Sequence, residues 1–222
     1  MFFNMRSLSE GRQAAEPIPG NFSRAIDALA KEFGLAIAVG MHEAVDGDTR
    51  VFNTVYVTSS AGEQTARYRK VHLFEAIGFR EADVILPSRD PAPVTFDIGT
   101  FRFGIMTCYD LRFPESARAL VDAGASAMLL PSLWMVGPQK LDHWTTLVRA
   151  RAIENTVYLV ASNASAPVSF GHSMLVDPSG VDVAVLAKEP QTHTVPIEKS
   201  IVEKTAKENP SVLNRRFRVE RI

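Results

Sequence analysis

Cys108 is the one cysteine in a chain of 222 residues, and its neighbours give it a chemical setting. It ends the run Phe103-Gly104-Ile105-Met106-Thr107 and precedes Tyr109-Asp110-Leu111-Arg112-Phe113-Pro114-Glu115, so a buried strand stops at the thiol and a helix starts just beyond it. A side chain on such a turn is presented outward, and nearby backbone N–H groups can meet a developing oxyanion. The plain alternative is a small buried hydrophobe, the usual state of a free cysteine. A second run, Tyr68-Arg69-Lys70-Val71-His72-Leu73-Phe74, puts Lys70 at a strand's end, where one ammonium can steady the negative oxygen of a tetrahedral intermediate. Alone, a lysine is most often a solvated charge and His72 a hydrogen-bonded structural group. One cysteine forms no internal disulfide, and no CxxC or HExxH pair is present to build a metal site, so if Cys108 does chemistry it acts as a lone thiol, and no metal or cofactor is expected.

The flanking segments supply the elements that hold these runs. Asn21 can cap a helix in which Phe22, Ala25, Ile26, Leu29, Ala30 and Phe33 recur at the 3.6-residue period, with Gly34 at its stop. Leu35 to Val39 is a continuous apolar run, short enough for a strand buried on both sides, and Asp46-Gly47 supplies a turn. Thr54 to Thr58, Thr65 to Arg69, Val94 to Ile98 and Phe101 to Met106 read as strands from their branched and aromatic content. Pro114 opens a helix to about Asp122, and Ala127 to Leu130 is the next strand. A helix from about Leu141 to Asn155 presents Leu141, Trp144, Thr145, Val148 and Ala152 on one face. Tyr158 to Ser162 returns as a strand, and the tail from Ser173 holds further strands, a Pro178-Ser179-Gly180 turn and a last helix near Lys199 to Glu208. Strands and helices intersperse without a Gly/Ser or Pro linker or an internal repeat, which predicts one α/β domain over residues 1–222, with layered sheets and helices outside.

Composition narrows the partners. Hydrophobic residues make up 46% and charged residues 22% of the chain, and 24 basic against 25 acidic residues leave a formal net charge of -1. No block of like charges advertises nucleic acid or an anionic membrane, and no apolar run approaches a bilayer span. Without a secretory leader pattern, a cytoplasmic enzyme acting on a small molecule is the expectation.

Taken together, the two runs resemble the nitrilase superfamily of carbon–nitrogen hydrolases. Tyr68-Arg69-Lys70-x-His72-Leu73 is similar to its lysine motif, and Cys108-Tyr109-Asp110-Leu111-Arg112-Phe113-Pro114-Glu115 to its cysteine motif. The similarity continues through Arg149-Ala150-Arg151-Ala152-Ile153-Glu154-Asn155 and Tyr158, then Gly171-His172-Ser173 and Val176-Asp177-Pro178-Ser179-Gly180, covering most of the chain. It implies a four-layer α-β-β-α sandwich and a Glu, Lys, Cys triad in which Glu moves the proton, Cys attacks the carbonyl and Lys steadies the oxyanion. In that scheme Cys108 is the nucleophile, Lys70 the stabiliser, and the backbone N–H of Tyr109 a second oxyanion donor. A further family carboxylate, which helps orient the site, lies between the two motifs. Glu81 in Phe79-Arg80-Glu81-Ala82-Asp83 matches it, with a surface glutamate on a polar loop as the alternative.

The same resemblance puts the general base in a Pro-Glu pair at the end of the second strand, and the segment after that pair is similar to Met1-Phe2-Phe3-Asn4-Met5-Arg6-Ser7. It therefore implies that the usual first strand, helix and second strand, roughly 35 to 40 residues at ordinary element lengths, lie upstream. The expectations are that Met1 is an internal methionine of a longer product, and that the N-terminally incomplete chain lacks its base. Glu10, Glu16 and Glu43 are the nearest carboxylates, and none is read as following a strand-like run or a Pro. A thiol of pKa about 8.5 is only a few per cent thiolate at neutral pH, and loss of acid–base help costs about 10² to 10⁴ in rate, so poor turnover is expected.

The run after the cysteine is similar to the amidase-type branch, which implies hydrolysis of a small amide, often one with a carboxylate at its other end, through a thioester to ammonia and a carboxylic acid. Arg112 can clamp that carboxylate with its planar fork or be tied to Asp110, Glu115 or Glu154. Trp134 walls the site or fills the core. Family members pair through the helices near the cysteine, which implies a homodimer. Two other classes stay open. One is a catalytically dead family member that binds or interacts. The other is a Cys/His peptidase using His72, His143 or His172, around which no motif resembles such a family.

Overall fold

The computed structural model describes residues 12–76 and 78–220. The chain separates into two units, Met1–Val94 and Thr95–Ile222, and Glu10 lies outside the described residues. In the first unit an antiparallel sheet runs in the order β1-β2-β3, with β1 at Ile37–Glu43, β2 at Phe52–Thr58 and β3 at Gln64–Arg69. Helix α1 (Asn21–Phe33) packs on β2, where Tyr56 Oη donates to the Asp27 carboxylate at 2.9 Å. The residues of the opposite sheet face, Val55, Val57, Ala66, Tyr68 and Lys70, are buried. Beyond β3 a small hairpin of β4 (Glu75–Ala76) and β5 (Phe79–Arg80) leads into a 3₁₀ turn at Glu81–Asp83.

Two expectations for this unit are corrected. The cap of α1 is Gly20 rather than Asn21, because a Cβ at position 20 would stand 2.3 Å from the Pro17 carbonyl oxygen. Polar groups around it do the capping: Gly20 N donates to Ser23 Oγ at 2.8 Å, and Phe22 N to Glu16 Oε2 at 2.8 Å. Asn21, the first helical residue, takes Arg24 Nη2 on its side-chain oxygen instead. The apolar run Leu35 to Val39 is not a strand buried on both sides. The strand begins at Ile37 and continues to Glu43, while Phe33 and Leu35 are 63% and 60% exposed. Among the described residues β1 is an outer strand of an antiparallel sheet, which follows no rule of continuous burial. It also makes Glu43 a strand-end carboxylate, which the sequence pattern did not show.

The second unit holds a six-stranded mixed sheet, β6 (Thr95–Ile98), β7 (Phe101–Ile105), β8 (Ala127–Ser132), β9 (Tyr158–Asn163), β10 (Met174–Val176) and β11 (Asp182–Val185), in the order β11-β10-β9-β8-β7-β6. Strands β7, β8 and β9 are parallel, which requires crossovers. These are α2 (Pro114–Asp122) and α3 (Lys140–Asn155). Side chains alternate along the strands, so Met128, Leu130, Leu159, Ala161, Met174 and Val176 share one core with Leu120, Trp144, Val148 and Ala152 of the two helices. Ala127, Tyr158 and Leu175 face the other way, onto Phe101 and onto Val202 of α4 (Lys199–Glu208). A short α5 follows at Ser211–Asn214. On α3 the buried stripe is Trp144, Val148, Arg151, Ala152 and Asn155, and Leu141, expected on it, is exposed. Gly104 lets α2 approach β7: a Cβ there would be 2.9 Å from Leu120 Cβ.

Candidate active site

Cys108 stands where β7 has run out. Met106 N still donates to Leu129 O of β8 at 3.0 Å, Thr107 is extended, and Cys108 then turns to φ 49°. This left-handed backbone costs a residue with a Cβ about 1–3 kcal/mol and persists only where its surroundings enforce it. The enforcing groups are visible. Thr107 N donates to Asp110 Oδ2 at 2.9 Å, Asp110 N returns to Thr107 O at 3.1 Å, and Thr107 Oγ1 donates to Pro131 O at 2.8 Å. Asp110 is fully buried and caps the 3₁₀ turn Cys108–Arg112, while Arg151 Nε donates to Leu111 O at 3.1 Å from the far side. The acidic residue of the Cys-Tyr-Asp run is therefore the clamp that holds the turn. The half-buried thiol lies 3.4 Å from the carbonyl oxygen of Leu133, to which Sγ–H donates. Tyr109 follows in the turn, its ring edge-on to Phe113 at 5.4 Å between centroids.

Around the thiol sit aromatic and cationic groups. Trp134 is 3% exposed and belongs to the core, stacked obliquely on Trp144 at 5.4 Å, yet its ring also carries the Arg112 guanidinium at 5.0 Å. It is fixed at three points: its N donates to Asn163 Oδ1 at 2.9 Å, its Nε1 to Lys140 O at 3.0 Å, and its carbonyl accepts from Ser169 Oγ. Arg112 turns toward His143, with Nη2 donating to Nδ1 at 3.3 Å, which requires that this ring nitrogen carry no proton. Glu154, one of the acids weighed as its partner, is engaged by Arg151 at 3.0 Å. Lys140 joins this group: burial first, then the Arg112 charge, lower its pKa, while Cys108 pulls it the other way. His172 lies instead by the Arg149–Asp182 ion pair, with its carbonyl accepting Trp144 Nε1 at 2.8 Å.

In the first unit Lys70 and Glu81 form one buried pair. Lys70 is 2% and Glu81 8% exposed, and Lys70 Nζ donates to Glu81 Oε2 at 2.6 Å. The same oxygen accepts Phe74 N at 2.7 Å, and Lys70's backbone is fixed through Asn53 O at 2.9 Å and Ser88 N at 2.9 Å. Glu81 is thus no surface residue of a polar loop. His42, which the sequence did not single out as a site residue, belongs to the same cross-strand row, since it pairs with Asn53. Burial lowers its pKa and the Glu81 charge opposes this.

Two carboxylates in this unit have other tasks. Glu43 accepts Thr54 Oγ1 at 2.8 Å and Arg69 Nε at 2.9 Å, makes a second contact to Arg69 Nη2, and has Arg67 at 3.5 Å. Burial pushes its pKa up, but the Arg69 and Thr54 bonds and both arginine charges leave it below the ordinary value. Such an acid is a poor proton acceptor. Glu16 caps α1.

Comparisons with known proteins place the chain in a family. The sequence pattern of the carbon–nitrogen hydrolase family matches residues 2–207. The chain is 34% identical over 231 residues to the deaminated glutathione amidase of Bos taurus, covering 96% of this chain and 69% of that protein. The crystal structure of Saccharomyces cerevisiae Nit3, a member of branch 10 of the nitrilase superfamily, superposes with a TM-score of 0.83 at 27% identity, over 96% of this chain and 79% of that one. A glutamate-to-glutamine mutant of an amidase from Nesterenkonia sp. AN1, which shows covalent addition of the acetamide moiety of fluoroacetamide at the active site cysteine, gives a TM-score of 0.68 at 27% identity, over 76% of this chain and 63% of that one.

Proposed function

The chain belongs to the carbon–nitrogen hydrolase family, and from that premise we propose that it hydrolyses a small amide through a thioester on Cys108, releasing ammonia and a carboxylic acid. The Cys108 thiol gives up its proton and its sulfur attacks the carbonyl carbon, the C–N bond breaks as that proton goes to the nitrogen, which leaves as ammonia, and water cleaves the thioester to the carboxylic acid and the restored thiol. Lys70, held by Glu81, steadies the negative oxygen together with the Tyr109 N–H. Arg112 takes a carboxylate at the far end of the substrate, and Trp134 backs it. The functional form is a cytoplasmic homodimer paired through the helices near the cysteine.

The observation that carries this reading is the backbone at Cys108. A merely packed thiol has no use for φ 49°, whereas a nucleophile that must leave its strand and face a substrate does. Cysteine modification in the Nesterenkonia amidase supports the same assignment. The test is ammonia release from short amides, which Cys108→Ala and Lys70→Met should each lower by about 10³-fold or more. Wild-type rates in Cys108→Ala refute the thioester route. A wild-type chain that releases no ammonia, and whose Cys108 alkylates no faster than a free thiol, is an inert binding protein instead.

A further inference from the structure

Lys140 is a second cation near Cys108 that the hydrolytic scheme leaves without a task. It opens α3, and its carbonyl accepts Trp134 Nε1 at 3.0 Å, so the start of the helix is fastened to the indole that carries Arg112 at 5.0 Å. Its aliphatic stem crosses Gly137, where φ is 154° and a Cβ would lie 3.4 Å from Lys140 Cγ. His143, one turn along the same face of α3, receives Arg112 Nη2 at 3.3 Å. Position 143 of α3 thus touches Arg112 directly, and position 140 is fastened to the indole on which Arg112 lies. The electrostatics are consistent with this placement: burial first, then the Arg112 charge, lower the pKa of Lys140, and Cys108 opposes them. An anion received by both cations would relieve the repulsion between them.

We propose that Lys140 is a specificity-determining residue which, together with Arg112, receives the carboxylate of a carboxylate-bearing amide at Cys108; this rests on the amide-hydrolase reading above. Arg112 offers paired N–H donors to the two oxygens, and Lys140 adds a point charge. An uncharged amide engages neither charge.

Because Cys108 is the sole cysteine, its alkylation in the full chain reads this arrangement whether or not turnover occurs. Iodoacetate and iodoacetamide differ in a carboxylate for a carboxamide, and the ratio of their rates should fall about tenfold in Lys140→Met and be kept in Lys140→Arg. A ratio unchanged in Lys140→Met overturns the proposal, as does an equal fall in Lys140→Arg. Ammonia release from succinamate relative to butyramide should show the same loss of preference in Lys140→Met, and equal losses on both substrates overturn the specificity role. If no short amide releases ammonia while the alkylation ratio still follows the charge at position 140, the hydrolase reading fails and the anion-binding pair stands.

Discussion

Glu81→Gln leaves the ammonium of Lys70, 2% exposed, facing a neutral amide where a carboxylate stood at 2.6 Å. Removing one partner of a buried ion pair costs about 3–5 kcal/mol. Glutamine keeps an acceptor for Phe74 N, which Glu81 Oε2 holds at 2.7 Å, so the lower end of that range applies, about 3 kcal/mol. For a chain of this size that is a fall in Tm of roughly 6–12 °C. Lys70→Met strands the other charge and should cost a similar amount. The double variant buries neither charge, so its cost should fall short of the sum by about 2–3 kcal/mol. Urea denaturation of the wild type, both single variants and the double variant, followed by circular dichroism, measures that coupling. Costs that add to within about 0.5 kcal/mol would falsify the claim that Lys70 and Glu81 are bound as a pair. So would a Glu81→Gln chain as stable as the wild type.

Other consequences are equally direct. Cys108→Gly should be about 1 kcal/mol more stable than Cys108→Ala in urea, since glycine adopts φ 49° without steric cost; the opposite order would mean the turn is not strained. Gly104→Ala should cost about 1–3 kcal/mol, because its Cβ meets Leu120 atoms at 2.9 Å and forces α2 off β7; a neutral effect in thermal melts would contradict that packing. Glu43 has a folded pKa below its ordinary value of 4.5, so as pH falls the unfolded chain takes up the proton first. Its contribution is complete above the unfolded pKa and is lost as pH falls through the folded one. Urea midpoints measured from about pH 6 down to about pH 3 should drop less steeply in Arg69→Met than in the wild type.

Local sequence determined a good deal of this protein. The runs around Lys70 and Cys108 carry the resemblance to the carbon–nitrogen hydrolase family, because such motifs are written in contiguous residues. Most strands and helices followed from period and punctuation, from Pro114 at the start of α2 to the Asp177–Gly180 turn, where Asp177 Oδ1 accepts Ser179 N at 2.8 Å and Val181 N at 2.9 Å. Elements whose ends depend on distant contacts were read less well. Gly20 displaced Asn21 as a cap because of Pro17 and Glu16, and β1 shifted toward Glu43 because the register with β2, Ile37 against Thr58, fixes its ends.

Partnership between side chains was decided by tertiary structure alone. Nothing local says that Glu81 reaches Lys70 across eleven residues, that Arg112 turns to His143 across thirty-one, or that the Lys140 carbonyl takes the Trp134 indole N–H. Hydrogen bonds and ion pairs depend on distances of a few ångströms, and only the folded chain sets those. The run around Cys108 placed it at the end of a strand, but its φ of 49° is imposed by Asp110, Pro131 and Arg151, residues brought together by the sheet and α3.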